Sequence, residues 1–281
     1  MSQNLPVELH IPVIYNRQKA MELLGHSEQL TPQQVIQCFD NGAVWLESTG
    51  KPQRLYDAEK ILKSGQKIHL YCNQTTLQPC PFNAELVEDF THFSIWNKPS
   101  GMLSQGSKWG DHWALYRWIK QNVWPDRDSY ITHRLDRYTS GLIIVAHNKT
   151  TNQQFHRQFE MRQIHKTYRA IVSGLMPPNQ QLTVDSKIGH KNARSQIQVI
   201  EQQASTGQSL VVIKPETGRK HQIRIHLAET GHPVINDRNY GTPPFSGDLM
   251  LQASELEFSA PGENKNIHIG LQPDKLLCFN R

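Results

Sequence analysis

The stretch ITHRLDRYTSGLIIVA, residues 131–146, sets one carboxylate, Asp136, between Arg134 and Arg137, with His133 just upstream. Positive neighbours favour the ionised form of an acid. No second acid lies close in sequence to share paired-carboxylate acid–base work. An isolated, ionised carboxylate suits nucleophilic attack or the stabilisation of positive charge better than proton donation. A plain salt bridge to Arg134 or Arg137 is the competing reading. Against it stands the turn cluster Thr139-Ser140-Gly141, which places the acid at the entry of an apolar run. Loops at strand entries, held by a rigid scaffold, are where sites are built.

A second group gathers in TGRKHQIRIHLAETGHPVINDRNYG, residues 217–241. Arg219, Lys220, His221, Arg224 and His226 fall close together with no acid among them. Solvated faces usually mix signs, so this density points to a phosphate site. The pattern predicts a helix from Arg219 to Thr230, stopped by Gly231 in a left-handed turn and by Pro233. Ile223 and Leu227 would share its core face, with Arg224 about 100° further round. His221 and His226 are spaced five apart and do not share a helix face as the histidines of an H-E-x-x-H metal site do.

These groups need elements to hold them. LIIVA reads as a buried strand, TTNQQFHRQFEMRQI as a helix with Phe155 and Phe159 on one face, and KTYRAIVSG and SLVVIKP as strands. Upstream, FSIWNKPSGML is a strand entering a turn, and HWALYRWIKQNV has helical spacing at Leu115, Trp118 and Ile119. Near the N-terminus, Thr31-Pro32 is an N-cap followed by a first-turn proline; Val35, Ile36 and Phe39 recur at helical spacing, and Asn41-Gly42 ends the helix. AVWLE and QKIHLYC follow as strands. Residues 73–88, with two prolines and little periodicity, read as a linker. This divides the chain into a small unit (1–72), a linker (73–88) and a larger part (89–281).

The chain has 281 residues, 37% hydrophobic and 20% charged, a globular composition. Its formal net charge of +5 is compatible with a polyanionic partner. Cys38, Cys72, Cys80 and Cys278 fit neither a disulfide scaffold nor a C-x-x-C site. No signal peptide or membrane-length apolar run is evident, so a cytoplasmic protein with reduced thiols is expected. No P-loop or dinucleotide glycine pattern occurs. The fourteen histidines raise a metal-dependent hydrolase as a rival, but no ligand spacing supports it.

HRLDRYTSGLIIVA, KTYRAIVSG and the 217–241 block, in that order, resemble the three core motifs of the RluA-type RNA pseudouridine synthases. Residues 1–72, with a helix ending in NGAVWL, a basic turn and LKSGQKIHL, resemble an S4-type RNA-binding domain, although Gln66 stands where that family usually has Asp. The resemblance implies an α+β fold: a mixed, largely antiparallel sheet with flanking helices and a central cleft, plus the small N-terminal S4-like unit. It implies isomerisation of uridine to pseudouridine in structured RNA, ribosomal (large-subunit) rather than transfer RNA, with no cofactor and no metal, by a monomer. A non-catalytic RNA-binding protein of the same fold is the alternative.

The resemblance also assigns roles. Asp136 is the catalytic residue, with attack on ribose, attack on base and removal of a sugar proton all open to it. Tyr168 stacks on the uracil and is a candidate base for the C5 proton. Arg224 pairs with Asp136, the two groups being expected within about 4 Å. Arg134 fills the space of the everted nucleotide, since chemistry on a stacked base requires extrusion at about a few kcal/mol. Arg137, Lys166, Arg219, Lys220, His221 and Arg54 are the expected RNA contacts. Two departures stand out: Lys220 where the family usually has Thr, and Gln252 where His is common.

Overall fold

The computed structural model describes residues 5–263 and 265–279. It divides into two compact units, one of residues 1–81 with 105–118, the other of residues 82–104 with 119–281.

In the first unit, β1 (Val7–Pro12), β2 (Gln18–Lys19), α1 (Ala20–Gly25), α2 (Pro32–Asp40), β3 (Val44–Glu47), β4 (Gln53–Arg54), β5 (Ile61–Leu62) and β6 (Lys67–Cys72) follow in order. The start of α2 is set locally: the Thr31 hydroxyl accepts from the Gln34 N–H while the Gln34 amide oxygen accepts from the Thr31 N–H. That reciprocal cap satisfies two donors the helix would otherwise leave open. Gly42, at φ 68°, then turns the chain into β3. The strands form an antiparallel sheet in the order β1-β6-β3-β4, and β2 pairs with β5. One face of the sheet is apolar: Val7, Val44, Ile68, Leu70 and Cys72 join Val35, Cys38 and Phe39 of α2 in a core. Cys38 and Cys72 are buried free thiols.

The second unit holds β7 (Glu85–Asp89), β8 (Phe93–Lys98), β9 (Tyr130–Ile131), β10 (Ser140–Ala146), α4 (Lys149–Glu160), β11 (His165–Ser173), β12 (Gln181–Ile188), β13 (Lys191–Gln203), β14 (Gln208–Pro215), α5 (Gln222–Glu229), β15 (Leu251–Ser259) and β16 (Asn266–Gly270); α3 (Leu115–Asn122) precedes β9 in the chain. Ten strands make one sheet, ordered β12-β13-β14-β11-β15-β10-β8-β7, with β16 on β15 and β9 on β10. Among the described residues the β10–β15 pair is parallel and the other ladders are antiparallel. The expected mixed, largely antiparallel α+β sheet is therefore present. Its core under α4 joins Phe93, Ile95, Leu142, Ile144, Phe155, Leu256 and Phe258.

Two expectations need revision, and one hairpin is added. The last residues of the expected linker are strand β7, which pairs with β8 and carries Leu86 and Val87. Hairpin β12–β13 has no counterpart among the expected strands. Helix α5 begins at Gln222 rather than Arg219, because His221 takes a left-handed φ of 57° at the N-cap.

Gly141 explains how β10 leaves the Asp136 loop. At φ 105° it lies against β15, and a Cβ there would sit 2.1 Å from the Ala253 carbonyl oxygen. Only glycine admits that crossing. The turn cluster thus brings the loop directly onto the middle of the sheet.

Candidate active site

All the residues that gather around Asp136 lie in the second unit. The loop bearing it is fixed from both sides. Thr132 Oγ1 donates to the Ile144 carbonyl at 2.9 Å, and the Ile144 N–H donates to His133 Nε2 at 3.1 Å. Accepting that bond requires a neutral His133, and burial lowers its pKa to about 3. Ser104 clamps the next residue: its hydroxyl donates to the Leu135 carbonyl and accepts from the Leu135 N–H, at 2.9 and 3.1 Å. The Gly101 N–H donates to the Arg137 carbonyl at 2.9 Å, and Thr139 N–H closes the turn on the Asp136 carbonyl at 3.1 Å.

Beneath this loop lies Lys98, fully buried at the end of β8. Its Nζ donates to the carbonyls of Pro99, Met102 and Arg137 at 3.0, 2.8 and 3.2 Å. Three acceptors ask for three N–H bonds, which only the ammonium supplies. Burial works the other way and, with Arg137 adding to it and Asp136 opposing it, draws the pKa down to about 7. A lysine whose folded pKa is depressed makes the folded state bind fewer protons than the unfolded chain between pH 7 and about 10.4. Stability should therefore rise with pH across that window. In Lys98→Met, denaturant titrations at several pH values should show the rise abolished. The variant should also lose about 2–4 kcal/mol near pH 7, because three carbonyls lose their donor.

Arg224 enters from α5 and is 6% exposed. Its Nη1 lies 3.7 Å from Asp136 Oδ2, within the expected distance. Its tight partner is a different acid. Nε and Nη2 fork onto the two oxygens of Asp237 at 2.7 and 2.6 Å. Asp237 is buried and also accepts from the backbone N–H groups of Asn239 and Tyr240. Burial pushes its pKa up, but these bonds outweigh burial and hold it below the usual carboxylate range. The guanidinium is thus aimed by Asp237 and presents its remaining edge to Asp136.

His221, read from sequence as an RNA contact, also reaches the carboxylate. Its Nε2 is 3.8 Å from Asp136 Oδ2 and its Nδ1 is 2.9 Å from the Tyr240 hydroxyl. Burial lowers its pKa and prevails over the opposite pull of Asp136. Gln222 holds the approach to α5. Its amide oxygen accepts from Thr217 Oγ1 and the Arg219 N–H, and its nitrogen donates to the Arg194 carbonyl and Ser195 Oγ.

Tyr168 sits on β11 where its ladder with β15 slips between Thr167 and Tyr168. Such a bulge re-aims a side chain. The ring is 8% exposed. Burial, and after it the charge of Asp136, raise the phenol's pKa, so the hydroxyl keeps its proton at neutral pH. That favours Tyr168 as a flat surface and hydrogen-bond donor over its service as a base in the unliganded protein.

The other expected contacts divide. Arg134 and Lys220 are exposed. Arg137 is exposed too, and its Nε donates to the Gly101 carbonyl at 3.2 Å. Arg219 donates to the Asn192 carbonyl at 3.1 Å, at the tip of the β12–β13 hairpin. Lys166 Nζ lies beside the Phe159 ring and Gly218, and burial lowers its pKa. Arg54 belongs to the first unit, where it is spent internally. It bonds the Gly42 and Ser107 carbonyls, lies 4.3 Å over Trp45 and stands 3.8 Å from the buried Asp111. Gln252 ties down the C-terminal segment, donating to the Lys275 carbonyl and accepting from the Leu277 N–H.

Lys98, Asp237, Tyr240 and Gln222 were not singled out from sequence. Lys98 stands in NKPSG and the other three in the 217–241 block, so their positions were in view but their partners were not. Among the described residues no cluster of three or more His, Cys, Asp or Glu side chains could hold a metal ion, and no helix is long and apolar enough to cross a membrane.

The sheet superimposes on two solved human proteins, RNA pseudouridylate synthase domain containing 1 and 4. Their TM-scores are 0.57 and 0.56 at 24% and 22% identity, covering 69% and 67% of this chain and 85% and 88% of theirs. The fold defines a protein with the pseudouridine synthase architecture. The family model of the RNA pseudouridylate synthases matches residues 92–229. The dual-specificity RNA pseudouridine synthase RluA of Vibrio parahaemolyticus is 34% identical over 197 residues, 63% of this chain and 78% of that one. RluA of Escherichia coli K12 is 35% identical over 188 residues, 60% and 84%. The ribosomal large subunit pseudouridine synthase C of Buchnera aphidicola is 30% identical over 210 residues, 66% of each. This chain belongs to the RNA pseudouridine synthase family, whose members are isomerases.

Proposed function

We propose that this protein isomerises uridine to pseudouridine in large-subunit ribosomal RNA, with Asp136 as the catalytic carboxylate. The observation that carries the reading is the approach of the Asp237-aimed Arg224 to within 3.7 Å of Asp136, with the buried ring of Tyr168 close enough to feel that carboxylate's charge. Each fits a step the reaction demands. The target must leave its stack and find another, and a tyrosine ring offers a base a platform worth roughly 1–3 kcal/mol. Arg134 is the residue proposed to stack on the bases the uridine leaves behind; its exposure two residues before Asp136 supports this. Arg224 sets a fixed positive charge 3.7 Å from an Asp136 oxygen, where it favours negative charge during the reaction. Lys220 and Arg219 supply charge for phosphates. The bond from ribose to N1 breaks, the uracil turns while bound, and C1′ rejoins through C5; the C5 proton is lost and N1 gains one, so no redox partner is needed.

For the N-terminal unit the proposal is an S4-like RNA-binding role, with residues 1–72 as its body and the unit built on the sheet that begins with β7 as the catalytic part. The cap at Thr31, the turn at Gly42 and the strands that follow support it.

The test is to map pseudouridines in ribosomal and transfer RNA from cells with and without this protein, then to repeat the modification with purified protein. Loss of specific ribosomal pseudouridines, restored in vitro, is the expected result. Loss confined to transfer RNA would move the substrate, and no loss in either with no activity in vitro would favour the non-catalytic alternative.

A further inference from the structure

Arg224 and His221 both approach the same oxygen of Asp136, Oδ2, at 3.7 and 3.8 Å. We propose that His221, braced by Tyr240, is a positioning residue that fixes Asp136 through Oδ2 and so leaves Oδ1 as the oxygen that reacts at the uridine. The inference rests on the reading of Asp136 as the catalytic carboxylate and adds to it a second anchor and the identity of the reacting atom.

The protonation pattern follows from the neighbours. The groups facing His221 are Asp136, Arg224, Lys220, Asp237 and the Tyr240 hydroxyl. Burial and the two cations keep the imidazole neutral against the two carboxylates. A neutral ring carries one proton. A lone pair on Nε2 would face a carboxylate oxygen, so the proton belongs there. Nδ1 then accepts from the Tyr240 O–H. Tyr240 thus fixes the ring by a hydrogen bond at 2.9 Å, and the ring sets the positive end of its Nε2–H bond toward Asp136 Oδ2 across 3.8 Å, a charge–dipole contact longer than a hydrogen bond. Without the Tyr240 hydroxyl the proton can move to Nδ1, and the contact with Asp136 turns repulsive.

The backbone agrees. His221 holds a left-handed φ of 57° at the start of α5, without making a side-chain cap there. A residue held in that region by its surroundings is a mark of a functional constraint. From this position the ring lies 3.8 Å from Asp136 Oδ2 and 2.9 Å from the Tyr240 hydroxyl. Asp237 organises the same group, because it forks onto Arg224 and also receives the N–H of Tyr240. The two anchors on Oδ2 are thereby set by one buried acid.

The test is single-turnover pseudouridine formation with enzyme saturating and in excess over RNA, with affinity and melting temperature measured alongside. His221→Ala should slow turnover about ten- to a hundredfold, as misplacement of a reacting group does, with affinity and melting temperature held. His221→Gln keeps an N–H near the position of Nε2 and should recover most of the rate. Tyr240→Phe should slow the wild type, yet change nothing in the His221→Gln background, where no ring proton can move. If His221→Ala does not fold, Tyr240→Phe and its double variant carry the same test. Full turnover in His221→Ala, equal loss in the Ala and Gln variants, or additive effects of the two sites would overturn the proposal. Turnover by Asp136→Asn would instead sink the parent reading; an inactive Asp136→Asn beside a fully active His221→Ala sinks this inference alone.

Discussion

Asp136→Asn should stop pseudouridine formation, by about a thousandfold or more, while RNA binding persists. The substitution keeps the shape of the side chain and the loop around it, because the clamps on Leu135, Arg137 and Thr139 are made by backbone groups and by Ser104 and Lys98. What it removes is the charge. Replacement of a group that acts at the reacting atoms typically costs rate on this scale even when geometry survives. Affinity should be unchanged or slightly tighter, since a negative charge has left a site that receives phosphates. Pseudouridine is read by chemical labelling and affinity by filter binding as a function of salt. Loss of both together would mean that Asp136 holds the fold and not the reaction.

Arg224→Met should have the largest effect on stability. The guanidinium and Asp237 are nearly sealed from solvent, with side chains 7% and 0% exposed. Removing one partner leaves a buried carboxylate without its counter-charge, which costs about 3–5 kcal/mol. Chemical denaturation should show that loss at pH 7. The pair also gives the wild type a pH signature. Asp237 is held below the usual carboxylate range, so its contribution is complete above about pH 4 and fades as pH falls through the folded value. The double variant Arg224→Met/Asp237→Asn removes the orphaned charge and should regain part of the stability. It should regain none of the activity, because Asp136 still lacks its guanidinium. Recovery of activity with stability would mean that Arg224 acts only through folding.

The parts legible in sequence were those with local causes. The α2 cap is a contact between residues 31 and 34, and LIIVA is a run that only a buried strand explains. The order of the three motifs located Asp136, Tyr168 and Arg224 together. Side chains whose partners are distant in sequence were not legible. Asp237 looks like one acid in a polar loop until the fold sets it under Arg224. Lys98 looks like a turn residue until three carbonyls converge on it. The start of α5 was misplaced because propensity has no term for His221 turning left-handed, or for Gln222 holding Thr217 and Arg219 outside the helix. The β12–β13 hairpin carries Ser186, Ala193 and Ser195 on its inner face, which weakens the apolar half of its alternation.

The central claim is that the proposed site at Asp136 replaces the C5–H bond of a uridine in RNA with a bond to the sugar. RNA carrying tritium at uracil C5 reports that event directly. Wild-type protein should release tritium to water in step with pseudouridine formed, one for one, and Asp136→Asn should release none. Tritium retained in RNA that the wild-type protein demonstrably binds, or released equally by both proteins, would contradict the account.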